Sequence, residues 1–188
     1  LLKSPVRNRE YNLNDTPFKT CYISVGGNIH PEETIPRALE MLHAAHIIGG
    51  ISTFYRTPPI NRPEQPHYLN GAVMLPFEGQ LRELKYAVLR PIEEALGRKR
   101  TVDKFAARAM DLDVVLCGQL VIEEPGLVIP DPDIRKRPFL AAALLELNRA
   151  LVLPDDNTSL LGLVNDEQRR ALVPDVPFTT LLRERFLK

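Results

Sequence analysis

The elements predicted from the sequence run strand, helix, strand, strand, helix, strand, which is the order of the ferredoxin-like, or split βαβ, class of α+β folds. Two observations predict these elements. Four short runs rich in apolar residues end at Gly or Pro, as strands do, and two longer segments repeat apolar residues at helical spacing. We therefore expect an antiparallel sheet with helices packed on one face, followed by a C-terminal extension.

The composition is that of one globular domain. The chain has 188 residues, 44% of them hydrophobic, which is enough for a sizeable core. Its 24 basic and 24 acidic side chains cancel, so we expect no general attraction to nucleic acid or to an acidic membrane. No apolar run is long enough for a transmembrane helix. Cys21 and Cys117 lie in apolar runs, and we expect them to be reduced core residues of a cytoplasmic protein.

The first half of the chain supplies the first three strands and both helices of this order. Residues 1–17 are polar and aperiodic and predict a loosely held tail, with residues 18–188 as the single domain. "CYISVGGNI" alternates and then breaks at Gly26–Gly27, which predicts a strand ending in a tight turn. A helical face follows over residues 31–46, and strands are expected at "ISTFYRT" and "HYLNGAVMLPF". The second helix begins near Leu81.

The rest of the second helix, the fourth strand and the C-terminal extension follow. A proline, Pro91, lies inside the second helix, so we expect a kink there. "DLDVVLCG" is the fourth strand, stopped by Gly118. After it we expect a short strand at "QLVIEE", a Pro-rich segment, a helix over residues 138–147, and a tail of loop and one short helix.

Two carboxylates stand one residue apart in the fourth strand. Because side chains alternate along a strand, Asp111 and Asp113 share one face, while Met110, Leu112, Val114 and Leu116 share the other. Two like charges so close repel each other unless a cation lies between them. The pattern indicates either a divalent metal site or two aspartates on the solvent-facing side of an edge strand.

A basic segment precedes this strand directly. "RKRTVDKFAAR", residues 98–108, has five basic side chains among eleven residues. A charge run of this kind is typical of a solvated surface loop. Next to a pair of acidic metal ligands it also fits a clamp for phosphates, since arginine gives planar bidentate contacts. The combination favours phosphoryl-type transfer from a nucleotide.

A third group of residues suits a flat ligand. Tyr68 and Asn70 share one face of their strand, where an aromatic ring stacks on a heterocycle and a carboxamide supplies a donor and an acceptor. Phe139 is the candidate for the second side of the ring. The alternative is an ordinary packed tyrosine with an asparagine at a bulge. In "SVGGN", the turn brings Asn28 close to a ligand.

Four segments in this order resemble the 6-hydroxymethyl-7,8-dihydropterin pyrophosphokinase family of folate biosynthesis. They are "YISVGGN", "STFYRTPPINRPEQPHYLNGAV", "GRKR" with "ARAMDLDVVLCG", and "LVIPDPDIRKRPFLAAALLEL", and they span about residues 20 to 165. The resemblance implies a ferredoxin-like domain that transfers the diphosphate of ATP to the pterin hydroxymethyl group with two Mg²⁺ ions. The resemblance thus implies a diphosphotransferase, and we expect a cytoplasmic monomer that binds neither nucleic acid nor membrane.

The resemblance also assigns residues to roles. The metal ligands would be Asp111 and Asp113, and the catalytic loop cations would be Arg98 and Arg108. The pterin would lie against Thr57, Pro58, Tyr68, Asn70 and Phe139. ATP would be bound by Glu93, Arg100, Val114, Asp131 and Arg137.

The sequence departs from the family pattern at three sites, which comprise four residues. Ala106–Ala107 stands where the family usually has Gly-Pro, Gly27 where it has Ser, and Asp131 where it has a His near ATP. We expect Asp131 to weaken ATP binding unless Arg135 or Lys136 pairs with it.

Two other functions remain open from the residues alone. A polymerase-β-like, Mg-dependent nucleotidyltransferase also uses Asp-x-Asp, but it needs Gly-Ser about ten residues upstream, where this chain has none. An RNA-binding domain of the same fold needs exposed aromatic residues on its central strands, and "CYISVGG" and "GAVMLPF" do not supply them.

Overall fold

The computed structural model describes residues 19–98 and 107–187. Its strands are β1 (Lys19–Gly27), β2 (Gly50–Ile51), β3 (Tyr55–Thr57), β4 (Tyr68–Phe77), β5 (Asp111–Cys117), β6 (Ile122–Glu124), β7 (Leu127–Ile129) and β8 (Val173–Pro174). Its α-helices are α1 (Pro31–Ala45), α2 (Leu81–Glu83), α3 (Arg90–Ala95), α4 (Asp133–Lys136), α5 (Pro138–Leu147), α6 (Asp166–Ala171) and α7 (Val176–Phe186). A π-helical turn (Leu84–Leu89) joins α2 to α3, and a 3₁₀ turn (Leu160–Gly162) precedes α6. The predicted N-terminal tail and Arg100, with the rest of the basic segment over 99–106, lie outside the described residues.

The main sheet has the split βαβ arrangement. β5, β1, β4, β3 and β8 lie side by side in this order, β2 also pairs with β4, and each pairing is antiparallel. Each βαβ unit has a strand of the other unit inserted between its own two strands. β4 lies between β1 and β3 of the first unit, and β1 lies between β4 and β5 of the second. The predicted fold class is confirmed.

Helices cover both faces of the sheet, although the sequence predicted one. One face packs on α1, the helix from α2 to α3, and α7, with Ile23 and Val25 of β1 at its centre. The other face packs on α4 and α5, through Tyr22 of β1 and Ala72 of β4. The reason is that β1 and β4 are central strands whose side chains are buried on both faces. Since α5 covers only part of the second face, the polar ends of β1, β4 and β5 stay accessible there.

A β-bulge in β5 corrects two predictions. Ile23 pairs with Val114 but Tyr22 pairs with Leu116, so one extra residue of β5 stands between the two pairs. Leu116 therefore turns to the face of α5 instead of sharing the face of Val114. The shift also sets Cys117 directly opposite Cys21.

The two cysteines form a disulfide, so the prediction of reduced thiols is wrong for this structure. The Cys21 and Cys117 sulfurs are 1.95 Å apart, and neither residue is exposed. The sequence showed two apolar strands with one cysteine each. It did not show the register that places the two side chains face to face.

The predicted strand "ISTFYRT" is interrupted between β2 and β3. Its central residue, Phe54, turns into the core opposite Gly71, where an added Cβ would lie 2.8 Å from the Phe54 ring. The Phe54 backbone bonds to the start of α7 instead of to β4. Its N–H donates to Thr179 Oγ1 (2.9 Å), and its carbonyl accepts from Asp175 N (2.8 Å).

The second helix changes its winding before Pro91. The predicted kink takes the form of the π-helical turn Leu84–Leu89, after which the chain continues as α3. A proline has no N–H for the usual helical bond, and its ring crowds the carbonyl four residues earlier, so a wider turn just before it is reasonable. This turn carries Lys85.

The remaining predicted elements of the second half are present, with additions. The helix over residues 138–147 is confirmed as α5, and the strand in "QLVIEE" is β6. β6 forms a hairpin with β7, which lies at the start of the Pro-rich segment, where the sequence predicted no strand. The C-terminal helix α7 buries Phe178, Leu182 and Phe186 in the core between the sheet and α1, which is the larger core cluster. Within residues 19–98 and 107–187, no helix is long and apolar enough to cross a membrane.

Candidate active site

Three strands bring polar residues into one row on the partly covered face. Gly26 of β1 pairs with Asp111 of β5 on one side and with Asn70 of β4 on the other. Residues paired in this way share a face of the sheet, so the predicted metal and pterin residues are neighbours. A Cβ added at Gly26 would overlap Asn70 Oδ1 and lie 3.3 Å from Asn70 Cγ. A side chain at this position would therefore displace the carboxamide.

Both predicted loop arginines that the structure describes converge on Asp111. Arg98 Nη1 donates to Asp111 Oδ1, and Arg108 Nη1 donates to Asp111 Oδ2 at 2.5 Å. Arg98 also donates to Glu93 Oε1 and to the Met110 carbonyl (3.3 Å). The Arg98 side chain is only 13% exposed. The guanidinium groups thus supply the positive charge that the paired carboxylates require.

Glu93 lies behind this cluster, at the open edge of β5. Its side chain is 2% exposed, and its Oε1 accepts from Leu112 N at 2.8 Å. Burial raises the pKa of Glu93 to about 7, while the Leu112 N–H and Arg98 oppose the rise and the two aspartates add to it. Glu93 therefore fixes the strand edge and the Arg98 guanidinium, and it carries a partial charge near neutral pH.

Asp113 is paired with a lysine that the sequence analysis did not single out. Lys85 Nζ donates to Asp113 Oδ1 at 2.8 Å. Burial raises the pKa of Asp113, the Asp111 charge adds to the rise, and Lys85 opposes it. Lys85 sits between apolar positions of its helix, and no motif marks it. It lies in the π-helical turn Leu84–Leu89, which contacts β5.

The residues predicted to contact the pterin form the other side of the row. Asn70 Nδ2 donates to Thr57 Oγ1 at 2.7 Å, and Tyr68 pairs with Thr57 across β3 and β4. Burial raises the pKa of the Tyr68 hydroxyl, and the charges of Arg108 and Asp111 also act on it, so Tyr68 lies beside the carboxylate cluster. Phe139 is half-buried at the start of α5, on the same face. Pro58 follows β3 and is exposed.

The residues predicted for ATP lie in different surroundings. Asp131 N donates to the Val115 carbonyl (2.8 Å), and Asp131 Oδ1 accepts from Asp133 N (2.8 Å). Burial raises the pKa of Asp131, the charges of Asp133 and Asp113 add to the rise, and Lys85 opposes it. Asp131 is therefore close to the cluster.

The other residues predicted for ATP have these surroundings in the structure. Arg137 Nε lies 3.4 Å from an oxygen of Asp133 at the end of α4. Val114 is 2% exposed and packs in the larger core cluster, so its side chain faces away from the carboxylates. Arg135, one of the two cations that could have offset the Asp131 charge, bonds instead to Asp155 at 2.8 Å. Lys85 is the cation that acts on Asp131.

Asn28 ties two parts of the site together. Its Oδ1 accepts from Arg108 N (2.8 Å), and its Nδ2 donates to Gln65 Oε1 (3.2 Å), just before β4. Its own N–H donates to the Arg108 carbonyl (2.9 Å). A Cβ at the neighbouring Gly27 would lie 2.5 Å from the Ala109 carbonyl oxygen. Gly27, where the family pattern has Ser, therefore allows the turn to pack closely on the segment that holds Arg108.

The donor set fits magnesium bound together with phosphates. Within the part of the chain that the structure describes, no group of three or more His, Cys, Asp or Glu side chains is arranged to hold a metal ion. Mg²⁺ is usually held by one or two carboxylates together with substrate phosphates, and not by a full protein cage. Asp111 and Asp113 provide two such carboxylates on one face.

Comparison with known proteins decides the family. Residues 22–149 match the sequence profile of the family described as 7,8-dihydro-6-hydroxymethylpterin-pyrophosphokinase (HPPK). The chain belongs to the HPPK family. The matched range includes all described candidate residues from Asn28 to Phe139, and the predicted resemblance is confirmed. Membership also decides against the nucleotidyltransferase and the RNA-binding alternatives.

Relatives of HPPK type differ in length. The chain is 34% identical to 2-amino-4-hydroxy-6-hydroxymethyldihydropteridine pyrophosphokinase of Haemophilus influenzae, covering 72% of this chain and 86% of that protein. For the protein of the same name from Bacillus subtilis the identity is 37%, over 68% and 77% of the two chains. The folic acid synthesis protein fol1 of Schizosaccharomyces pombe is 35% identical, but the match covers 79% of this chain and only 21% of fol1.

Among solved structures, HPPK-DHPS of Plasmodium falciparum shares the fold. The TM-score is 0.61 at 13% identity, and the match covers 86% of this chain and 46% of that one. At this identity the likeness supports the fold of the HPPK family and nothing finer.

Proposed function

We propose that this protein transfers the diphosphate group of ATP to the hydroxymethyl group of 6-hydroxymethyl-7,8-dihydropterin, giving AMP and the pterin diphosphate for folate biosynthesis. The observation that carries the proposal is the row Asp111–Gly26–Asn70, which sets paired carboxylates and arginines beside side chains suited to a flat ring. Family membership gives this row its substrates.

Asp111 and Asp113 would hold two Mg²⁺ ions together with the phosphates of ATP. Bound magnesium neutralises phosphate charge and holds the phosphates in one orientation. The protein prepares for this by keeping both carboxylates on one face, with Arg98 and Arg108 as counter-charges to Asp111 and Lys85 as the counter-charge to Asp113.

The pterin would bind flat between Tyr68 and Phe139. The Asn70 carboxamide is oriented for the edge of the ring, because Nδ2 is held by Thr57 and Oδ1 lies over Gly26. One N–H of Nδ2 and the acceptor Oδ1 can then meet the donor and acceptor groups of the heterocycle. Tyr68 places its hydroxyl next to the cationic cluster, so the ring lies beside the phosphates.

Arg98 and Arg108 would stabilise the transferring group. Each guanidinium has five N–H donors in a fixed plane, and Asp111 takes one donor of each in the contacts described above. Asn28 and Glu93 fix the two arginines from behind. The pterin hydroxyl would attack the β-phosphorus in line and lose its proton, while the bond between the β-phosphorus and the α-phosphate oxygen breaks and AMP leaves. No covalent intermediate with the protein is needed, since positioning and charge stabilisation carry such transfers.

We further propose a cytoplasmic monomer with residues 18–188 as one domain and without affinity for nucleic acid. The balance of 24 basic and 24 acidic side chains supports the last point. The Cys21–Cys117 disulfide has no exposed atoms, which would protect it from reductants in a cytoplasm.

The test is formation of AMP from ATP, Mg²⁺ and the reduced hydroxymethylpterin. The wild-type protein should release AMP only when the pterin is present, and Asp111→Asn should lose several orders of magnitude in turnover. Asp155→Asn is the matched control, because this carboxylate pairs with Arg135 away from the row, and it should keep the wild-type rate. Absence of pterin-dependent AMP release by the wild-type protein would refute the proposal.

A further inference from the structure

Lys85 is placed as a binding group by the irregular winding of its helix. It lies in the π-helical turn Leu84–Leu89, where each turn contains more residues than in an α-helix. Such turns are frequent at functional sites, since they redirect single side chains. Here the turn aims Lys85 across the edge of β5, and the side chain is only 16% exposed although it ends in a charge.

The ammonium group of Lys85 faces two carboxylates. It lies 2.8 Å from Asp113 Oδ1, and it is near enough to Asp131 to act on that group as a counter-charge. The two arginines described above are bound to Asp111, at the other end of the acidic pair. Among the described residues, Lys85 is the cation in direct contact with Asp113, and the charge of Arg98 also acts on this carboxylate.

Without this ammonium, the Asp113 end would repel a nucleotide. Asp113 and Asp131 are both acidic, and a polyphosphate approaching them would meet two negative charges. An ammonium has three donors, and Asp113 accepts one of them. The others can be offered to a phosphate oxygen.

Resting on the proposed function, we propose that Lys85 is a nucleotide-binding residue that alternates between Asp113 and a phosphate oxygen. In the absence of nucleotide it holds Asp113 and competes with a free divalent cation for that carboxylate. When the cation arrives with the nucleotide, Lys85 moves to the phosphate and Asp113 is released to the metal. Lys85 thereby makes the site favour the metal–nucleotide complex over the metal alone.

The test compares three variants by equilibrium binding, without turnover. The probes are Mn²⁺ alone, followed by its electron paramagnetic resonance signal, and a non-hydrolysable ATP analogue with Mn²⁺, followed by calorimetry. Lys85→Met removes the charge and keeps the length of the side chain, and Lys85→Arg keeps the charge. Arg82→Gln removes one positive charge three residues earlier, where Arg82 is 56% exposed and pairs with Glu124.

Lys85→Met should shift the two affinities in opposite directions. Binding of Mn²⁺ alone should tighten by about threefold to tenfold, and binding of the Mn²⁺–analogue complex should weaken by about tenfold. Lys85→Arg should keep analogue binding within about threefold, and Arg82→Gln should change neither affinity.

A merely structural lysine would give another pattern. Loss of both affinities together with a lower melting temperature in Lys85→Met, or an unchanged affinity for the analogue, would overturn the role of Lys85. Failure of the wild-type protein to bind the Mn²⁺–analogue complex at all would instead overturn the proposed function.

Discussion

Gly26→Ala should separate pterin binding from nucleotide binding. The new methyl group would overlap Asn70 Oδ1 and approach Asn70 Cγ to 3.3 Å, so the carboxamide has to rotate off the sheet. The rotation breaks the 2.7 Å bond from Asn70 Nδ2 to Thr57 Oγ1. The next nearest atom, the Leu69 carbonyl oxygen, is 3.7 Å away in ordinary contact, so the strand pairing itself should remain.

The expected size follows from the hydrogen bonds that move with Asn70. Loss of the Thr57 bond should lower the free energy of unfolding by about 1 kcal/mol. Loss of two oriented contacts to the pterin ring, each worth about 1 kcal/mol, should weaken pterin binding by roughly thirtyfold. Affinity for a metal–nucleotide analogue should change by less than about threefold, because Asp111, Asp113 and Lys85 keep their places.

The assay is calorimetric titration of the variant with the reduced pterin and, separately, with the nucleotide analogue. Gly162→Ala is the matched control, since a Cβ there would meet nothing within 4 Å. Unchanged pterin affinity in Gly26→Ala would show that the Asn70 carboxamide does not read the ring, and the placement of the pterin on this row would be wrong.

Three further variants probe the rest of the site. Phe139→Ala should weaken pterin binding by about 1–2 kcal/mol through lost stacking and leave nucleotide affinity unchanged, as measured by the same titrations; equal losses for both ligands would show a misassigned pocket. Asp131→His should strengthen the binding of an ATP analogue by about 1 kcal/mol at pH 7.5, because it removes a negative charge that Lys85 only partly offsets. Weaker binding would show that Asp131 faces away from the nucleotide. Below pH 4.5, Glu93 is neutral in both the folded and the unfolded protein. Above this pH it ionises in the unfolded protein but resists ionisation in the folded protein, where its pKa is about 7, so the wild-type protein should lose up to about 3 kcal/mol of stability relative to Glu93→Gln between pH 4.5 and 8. Denaturant titrations that give a constant difference in stability over this range would refute the prediction.

Much of the site was predictable because it depends on strand alternation. The common face of Asp111 and Asp113, and that of Tyr68 and Asn70, follow from a period of two and hold in the structure. The resemblance to the family then assigned the two pairs, Asp111 with Asp113 and Tyr68 with Asn70, to one active site. What the period cannot give is register, and it was the pairing of both strands with Gly26 that brought the pairs together.

The misses have local causes that no periodic pattern contains. The bulge in β5 reversed the side of Leu116 and paired the two cysteines. Lys85, which bonds to Asp113, lies in a π-helical turn that α-helical spacing does not anticipate, and no sequence motif marks it. The sequence predicted α5 as a helix but did not show on which face of the sheet it packs. In the structure its apolar residues are buried against the second face.

The disulfide gives the chain a ring topology. Cys21 and Cys117 are 96 positions apart, so the chain between them forms one covalently closed loop. This loop contains α1, β2 to β4, the two arginines Arg98 and Arg108, and the residues that fix them, Asn28 and Glu93. A protease that cuts any single peptide bond between the two cysteines would therefore open the ring without releasing a fragment. Such nicked protein would migrate with the intact 21.2 kDa chain in a non-reducing gel and separate into two pieces only after reduction.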